Sequence, residues 1–265
     1  MQSIVFPGLG LEFSINIVAF ELFGKSIYWY GIIISTGFLL AMVIATKEAK
    51  RVGVAPETFM DIVLIATPLA IIGARIYYVI FNWSTYKDNL SEIIAIWHGG
   101  LAIYGAIIAA LMAAVVYCRI KGIGIWKIFD IAALGFLVGQ IIGRWGNFIN
   151  QEAYGSETML PWRMEIFDVQ QQARIAVHPT FLYESLWNLV GFIFIYMYRK
   201  RKKFDGEIFL LYASWYGLGR FWIEGLRTDS LYIGVFRVSQ IVAALSVLFG
   251  AALLIYFRKK MPKDS

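Results

Sequence analysis

Five ionisable residues stand where an apolar chain would not be expected to carry them. Arg75, Arg144, Glu184, Arg220 and Glu224 each interrupt a stretch of largely apolar residues, and an unpaired charge inside a bilayer costs at least about 2.5 to 3.5 kcal/mol. Such residues pair with one another or with a substrate. Arg144 and Asn147 are three apart, and Arg220, Glu224 and Arg227 stand at i, i+4 and i+7, so on helices each set shares one face. Two guanidiniums turned into one cavity suit an anionic phosphodiester, because the planar fork makes bidentate contacts that an ammonium cannot. The same spacing also fits a structural ion pair between Arg220 and Glu224, and Arg75 also fits a side chain snorkelling to the membrane surface.

What must position these residues is a bundle dissolved in lipid. Of 265 residues, 59% are hydrophobic and 16% charged, with a mean hydropathy of +0.65, far from the balance of a soluble domain. Residues 26–46, 99–118 and 238–257 carry no charge at all, and each run is long enough to cross a hydrocarbon core of about 30 Å. Four more runs have the length if a few ionisable residues are accepted: 59–82 with Asp61 and Arg75, 128–148 with Asp130 and Arg144, 180–198 with Glu184, and 208–226 with Arg220 and Glu224. The sequence therefore predicts an all-α integral membrane protein of seven transmembrane helices. With no internal repeat or low-complexity tract, residues 1–265 read as a single transmembrane domain. Residues 1–24 have no basic stretch ahead of their apolar residues and do not read as a cleavable signal peptide; the first span would act as its own signal.

The net charge of +6 does not form the basic, aromatic-lined groove of a nucleic-acid binder, and no nucleic-acid partner is expected. The cations gather between spans instead: Lys47, Lys50 and Arg51; Arg119, Lys121 and Lys127; the five of 199–203; and Arg258, Lys259, Lys260 and Lys263. These are fifteen of the 24 Lys and Arg, all on one side of the predicted bundle. By the positive-inside rule that side is the cytoplasm. The N-terminus then lies outside, the C-terminus is cytoplasmic, and residues 149–180, with Pro161, Trp162 and the run Gln170, Gln171 and Gln172, form a small external head between the fourth and fifth spans. A lone cysteine, Cys118, forms no internal disulfide, and two histidines do not fill a zinc site by themselves. Neither a metal nor a cofactor is expected.

Depth along the helices is informative. Arg144 lies 17 residues beyond Lys127 and Glu224 lies 17 beyond Glu207, about 25 Å from the basic end at 1.5 Å per residue. Tyr30, 17 residues from Lys47, and Tyr104, 15 from Arg119, reach a similar level. Polar groups gathered at one depth fit a cavity opening to the outer leaflet, where phospholipid is the available anion. Gly135, Gly139 and Gly143 repeat a small-xxx-small spacing that favours close helix packing. Trp29, Trp83, Trp97 and Trp145 read as an interfacial belt, Cys118 as a packing residue, and His98 and His178 as groups near the outer interface.

The run GRWGNFINQEAYG at 143–155 resembles the signature of the prolipoprotein diacylglyceryl transferases. YWYG at 28–31, GAR at 73–75, GGLAIYG at 99–105, HPTFLYE at 178–184 and YGLGR at 216–220, followed by Glu224 and Arg227, are similar to that family in the same order. The resemblance spans essentially the whole chain. It implies a reaction in which the thiol of a lipobox cysteine attacks the glyceryl carbon of phosphatidylglycerol, forming a thioether and expelling glycerol phosphate. It also implies a multi-pass protein of the bacterial plasma membrane, with phosphatidylglycerol and the lipobox signal peptides of prolipoproteins as partners.

By that resemblance Tyr30, Arg144, Asn147, Glu152, Gly155, Arg220 and Glu224 match positions used for catalysis or lipid binding, and Arg75 and His178 join the substrate-binding candidates. Tyr104, also a catalytic candidate, stands where some members carry a histidine proposed as a base; that role does not transfer, and Tyr104 is expected instead to donate a hydrogen bond to the lipid phosphate or a neighbouring cavity group. As the carbon–oxygen bond breaks, the phosphodiester gains charge, and Arg144 and Arg220 would hold the transition state more strongly than the lipid. The thiol, with an unperturbed pKa near 8.5, must lose its proton to Glu152, Glu224 or a phosphate oxygen; the sequence leaves these open. A lipid or anion transporter would use the same intramembrane arginines.

Overall fold

A computed structural model describes residues 2–168 and 171–260; Lys263 and Gln170, used above, lie outside them. Apolar runs of membrane-spanning length have no backbone partner in lipid but themselves and close into helices. Among the described residues the α-helices are α1 (Trp29–Arg51), α2 (Pro56–Phe81), the single turn α3 (Trp83–Tyr86), α4 (Ile103–Lys121), α5 (Ile125–Asn150), α6 (Thr180–Tyr198), α7 (Glu207–Leu226) and α8 (Val238–Lys260). Six of them, α1, α2, α4, α5, α6 and α8, are long and apolar enough to cross a membrane. Helix α7 has similar length but carries Glu207, Arg220 and Glu224.

The all-α expectation is corrected outside the helices. Short strands form at β1 (Gln2–Phe6), β2 (Leu11–Ile15), β3 (Val18–Leu22), β4 (Lys25–Tyr28), β5 (Met164–Asp168), β6 (Ala173–Val177), β7 (Tyr232–Ile233) and β8 (Phe236–Arg237). In β1 the buried residues Ile4 and Phe6 alternate with less buried ones, the period-two pattern of a strand with one covered face. Phe23 and Gly24, both with positive φ, make the tight turn between β3 and β4.

The chain forms two compact units. In the first, Met1–Ile44 with Ala132–Ser265, an antiparallel sheet runs in the order β2-β1-β5-β6. Residues 149–180 are therefore no self-contained head: their two strands are completed by β1 and β2, with Val5 opposite Glu165. Phe148, near the end of α5, enters the sheet's core with Ile4, Phe6, Ile166, Val177 and Phe181, which fixes the end of α5 against the sheet. Its ring lies 4.7 Å from that of Phe181, centroid to centroid. Helix α1 packs on α5, where a side chain at Gly37 would meet Ile142 at 3.3 Å. The closest approach falls not at Gly139 or Gly143 but at Gly146, whose absent Cβ would stand 2.9 Å from the Tyr30 ring.

Helices α6 and α7 are clasped by two tryptophans. Trp187 donates to the carbonyl of Trp215 and Trp215 donates to that of Trp187, both at 2.9 Å, with the rings stacked at 4.7 Å. Each indole lies over a glycine of the other helix, Trp187 on Gly219 and Trp215 on Gly191, where an added Cβ would come within 2.3 Å. At the far end Glu207, fully buried, accepts from Tyr198 Oη and Arg258 Nε and so ties α6, α7 and α8 together.

In the second unit, Ala45–Ile131, α2 and α4 cross at two glycines, a Cβ on Gly105 being 2.3 Å from the carbonyl of Gly73. Helix α4 begins at Ile103 rather than at 99, because Gly99 and Gly100 take positive φ. Cys118 is buried.

Candidate active site

The charges that lipid cannot tolerate alone neutralise one another in a chain of contacts across α5, α6 and α7. Glu184, in the second turn of α6, takes Arg144 Nη2 of α5 on Oε1 at 2.5 Å and Arg220 Nη1 of α7 on Oε2 at 3.2 Å. Its side chain is only 3% exposed. Arg220 Nη2 also stands 2.5 Å from Glu224 Oε2, one turn along α7. That oxygen is buried and in close charge contact, yet accepts no well-directed hydrogen bond among the described residues. On the other side Arg144 Nη1 donates to Asn147 Oδ1 at 3.2 Å, and Asn147 Nδ2 donates to Glu152 Oε1 at 2.8 Å. Two half-buried guanidiniums and two buried carboxylates thus form a charge-balanced core, with Glu152 at its open end.

Glu152 is held by an unusual stretch of backbone. Its neighbours Gln151 and Ala153 both have positive φ, 52° and 57°, a conformation that costs a non-glycine residue roughly 1 to 2 kcal/mol. The strain is held in place by Glu152 N donating to the Asn147 carbonyl at 3.0 Å and by Thr180 Oγ1 donating to the Ala153 carbonyl at 2.5 Å. An open cleft of ≈ 700 Å³ lies before it, lined by Glu152, Asn150, Tyr30, Tyr28, Ser26 and Ile17. Strand β4, with Ile17, thereby forms one wall of the cleft.

Gly155 is an assembly point. Its N–H donates to the His178 carbonyl, it bridges to Arg227, and the next N–H, of Ser156, donates to the Leu226 carbonyl at 2.7 Å. A Cβ there would meet His178 Cβ at 2.7 Å and the Leu226 carbonyl at 3.2 Å. His178 Nδ1 lies 3.2 Å from Tyr183 Oη, which accepts from Trp162 Nε1 at 2.8 Å. Burial pushes the imidazole below its ordinary pKa. Arg227 lies past the helical face predicted for it: it takes extended backbone beyond the end of α7 and forks onto Asp229 at 2.9 and 2.6 Å. That hydrogen-bonded fork holds the Asp229 carboxyl below the usual range.

The family model for prolipoprotein diacylglyceryl transferase matches residues 17–256. The chain belongs to the prolipoprotein diacylglyceryl transferase family. It is 50% identical over 248 residues to a phosphatidylglycerol–prolipoprotein diacylglyceryl transferase of Finegoldia magna, covering 93% of this chain and 98% of the relative. Proteins of the same name from Clostridioides difficile (47% over 243 residues, 92% and 96% covered) and Listeria welshimeri (46% over 250 residues, 92% and 90% covered) are similar throughout. Membership of this transferase family leaves a transporter unfavoured.

Of the site residues read from this diacylglyceryl transferase sequence, Arg144, Asn147, Glu152, Arg220 and Glu224 join one continuous network, while Tyr30 lines the cleft that Glu152 opens onto. Gly155 and His178 hold the loop beside the end of α7. Arg75 and Tyr104 belong to the other unit. There Arg75, read from the sequence as a substrate ligand or a snorkelling cation, is 6% exposed and spends its five N–H groups on the carbonyls of Ile93, Gly99, Gly100, Glu92 and Ala95. Tyr104 packs its ring 6.4 Å from that of Tyr77, and its hydroxyl has no hydrogen-bond partner among the described residues. The residue missed as a site member is Glu184. The signal for it was its own charge, which inside an apolar span demands a cationic partner.

Proposed function

We propose that this protein transfers the diacylglyceryl group of phosphatidylglycerol to the cysteine thiol of prolipoproteins. The observation that carries the reading is the convergence of Arg144 and Arg220, from two helices, on the single carboxylate of Glu184. Guanidiniums fixed in this way are preorganised for the phosphate of a lipid headgroup, and their hold strengthens as charge develops on the departing oxygen. The sulfur displaces the glyceryl carbon from the phosphate oxygen. A carbon–sulfur bond forms, the carbon–oxygen bond breaks, and glycerol phosphate leaves with both electrons of the broken bond.

Membrane placement belongs to the same reading. Helix α7 makes a seventh span beside the six apolar ones. The four basic clusters face the cytoplasm, the N-terminus lies outside and the C-terminus inside. The site opens toward the outer leaflet of the bacterial plasma membrane, with residues 149–180, paired to β1 and β2, on the outer side. The cleft along Tyr30, Asn150 and Glu152 then receives the extended lipobox segment of the signal peptide. Among the acceptors for the thiol proton, Glu152 is the carboxylate that lines this cleft, whereas Glu184 and Glu224 are committed to arginines.

The test is direct. Purified protein, incubated with labelled phosphatidylglycerol and a lipobox peptide, should add one diacylglyceryl mass to the peptide cysteine and release glycerol phosphate in equal amount. Lipid turnover without peptide modification would refute the assignment.

A further inference from the structure

The four innermost charges of the network, Arg144, Arg220, Glu184 and Glu224, sum to zero before any substrate arrives. A phosphodiester brings one negative charge, and the glycerol phosphate left behind approaches two, since the second pKa of a phosphate monoester is about 6. Two arginines with no competing anion would grip that product hardest of all, because buried charges are screened little. Glu184 is the group that already occupies both of them, one oxygen to each.

A second observation lies one helical turn further along α6. Asn188 is fully buried, and both its side-chain oxygen and its nitrogen lack a hydrogen-bond partner among the described residues. Buried amides are rarely left so. Residues four apart on a helix are neighbours on one face, and side chains lean toward the helix N-terminus, which from Asn188 is the direction of Glu184. An unfilled donor thus lies one helical turn along α6 from the carboxylate.

We infer that Glu184 is a resident competitor for the phosphate site, switching between two positions. With the site empty it bridges Arg144 and Arg220. When a lipid phosphate takes the guanidiniums, the carboxylate swings to the amide of Asn188; when product must leave, it swings back and displaces the dianion. Glu184 is on this account a positioning residue that sets how tightly phosphate is held, and Asn188 is its second berth. The inference rests on the reading of Arg144 and Arg220 as a phosphate clamp.

The experiment measures inhibition of the transfer assay by added glycerol 1-phosphate, with KM for phosphatidylglycerol, in Glu184→Gln, Glu184→Asp, Asn188→Leu and the lysine variants of Arg144 and Arg220. Glu184→Gln should tighten inhibition by about tenfold or more and lower turnover, because the neutral amide cannot recapture the guanidiniums. Glu184→Asp should fall between Gln and the parent. Asn188→Leu removes the berth and should move the other way, raising both KM and the inhibition constant. A structural role alone would move both sites in the same direction. Unchanged or weaker inhibition in Glu184→Gln, in protein of parental helical content, overturns the inference, as does a complete lack of inhibition in every variant. If Glu184→Gln does not fold, the opposite shifts of Glu184→Asp and Asn188→Leu decide. The lysine variants separate the two layers. If they leave inhibition untouched, the clamp itself fails; if they weaken it while Glu184→Gln does not tighten it, only the competitor role fails.

Discussion

Arg144 on α5 meets Glu184 on α6 at 2.5 Å, through a different oxygen from the one that faces Arg220. One carboxylate therefore sets the spacing of two cations on separate helices, and the geometry of the guanidinium matters as much as its charge. A lysine at either position keeps the charge but has a single nitrogen to divide between Glu184, its other partner and a phosphate. Arg144→Lys and Arg220→Lys should each lower transfer on the order of 10- to 100-fold, about 1.4 to 2.7 kcal/mol of transition-state binding. Near-normal rates in both would reduce the arginines to general electrostatics.

Gly155→Ala inserts a methyl 2.7 Å from His178 Cβ and 3.2 Å from the Leu226 carbonyl. The backbone on both sides is held by hydrogen bonds, so it yields only by breaking them. The variant should lose roughly 1 to 3 kcal/mol of stability, the usual cost of overpacking, together with most of its activity. Thermal melting in detergent beside the transfer assay would check it. A parental melting temperature would mean that the loop moves aside freely.

Tyr104 has a hydroxyl with no hydrogen-bond partner among the described residues, and a phenol hydroxyl can donate as well as accept. Its service to the reaction would be a donated hydrogen bond. Tyr104→Phe should then cost on the order of tenfold in rate, about 1 to 3 kcal/mol being typical for an orphaned buried acceptor. Tyr104→His should retain more activity than Tyr104→Phe, since imidazole can also donate. Equal, full activity in both would leave Tyr104 a packing residue beside Tyr77.

His178 carries a pH prediction. Burial lowers its folded pKa below the unfolded value of 6.5, so between the two values the unfolded chain binds more protons and stability rises with pH. Stability should accordingly be full above pH 6.5 and fall as acid takes the solution down through the folded pKa. Protonation also puts a second N–H where Tyr183 can donate to Nδ1. His178→Gln should flatten this limb of the melting-temperature profile. An unchanged limb would assign the acid sensitivity to other groups.

Topology is testable at Met159, which is 83% exposed beside Thr158. Met159→Cys in a Cys118→Ala background should react with a membrane-impermeant maleimide on intact cells. Reaction only after lysis would invert the proposed orientation.

The apolar helices were legible because an uncharged run has one stable form in lipid, and Arg144, Asn147, Arg220 and Glu224 stood out because their charges or their spacing marked them, whereas Glu152 came from the family resemblance. What escaped reading was non-local. Within α7, Arg220 and Glu224 announce each other by spacing, but nothing near Glu184 tells that its partners lie 40 residues back and 36 residues on. The partners of Arg75 are backbone carbonyls, which leave no mark in a sequence. The strands were missed since β1 alone is five residues long and gains its meaning from Glu165 opposite Val5.

That last pairing has a consequence in time. Phe6 ends β1 and Met164 begins β5, so the two strands stand 158 positions apart along the chain. At a synthesis rate of roughly 5 to 20 residues per second, about ten to thirty seconds pass before the partner emerges. Throughout that interval the first hairpin has an open edge, a template for any passing strand. The cell must therefore shield one small β-ribbon while the helices between the two strands are being made, and the sheet that anchors the end of α5 is finished long after it is begun.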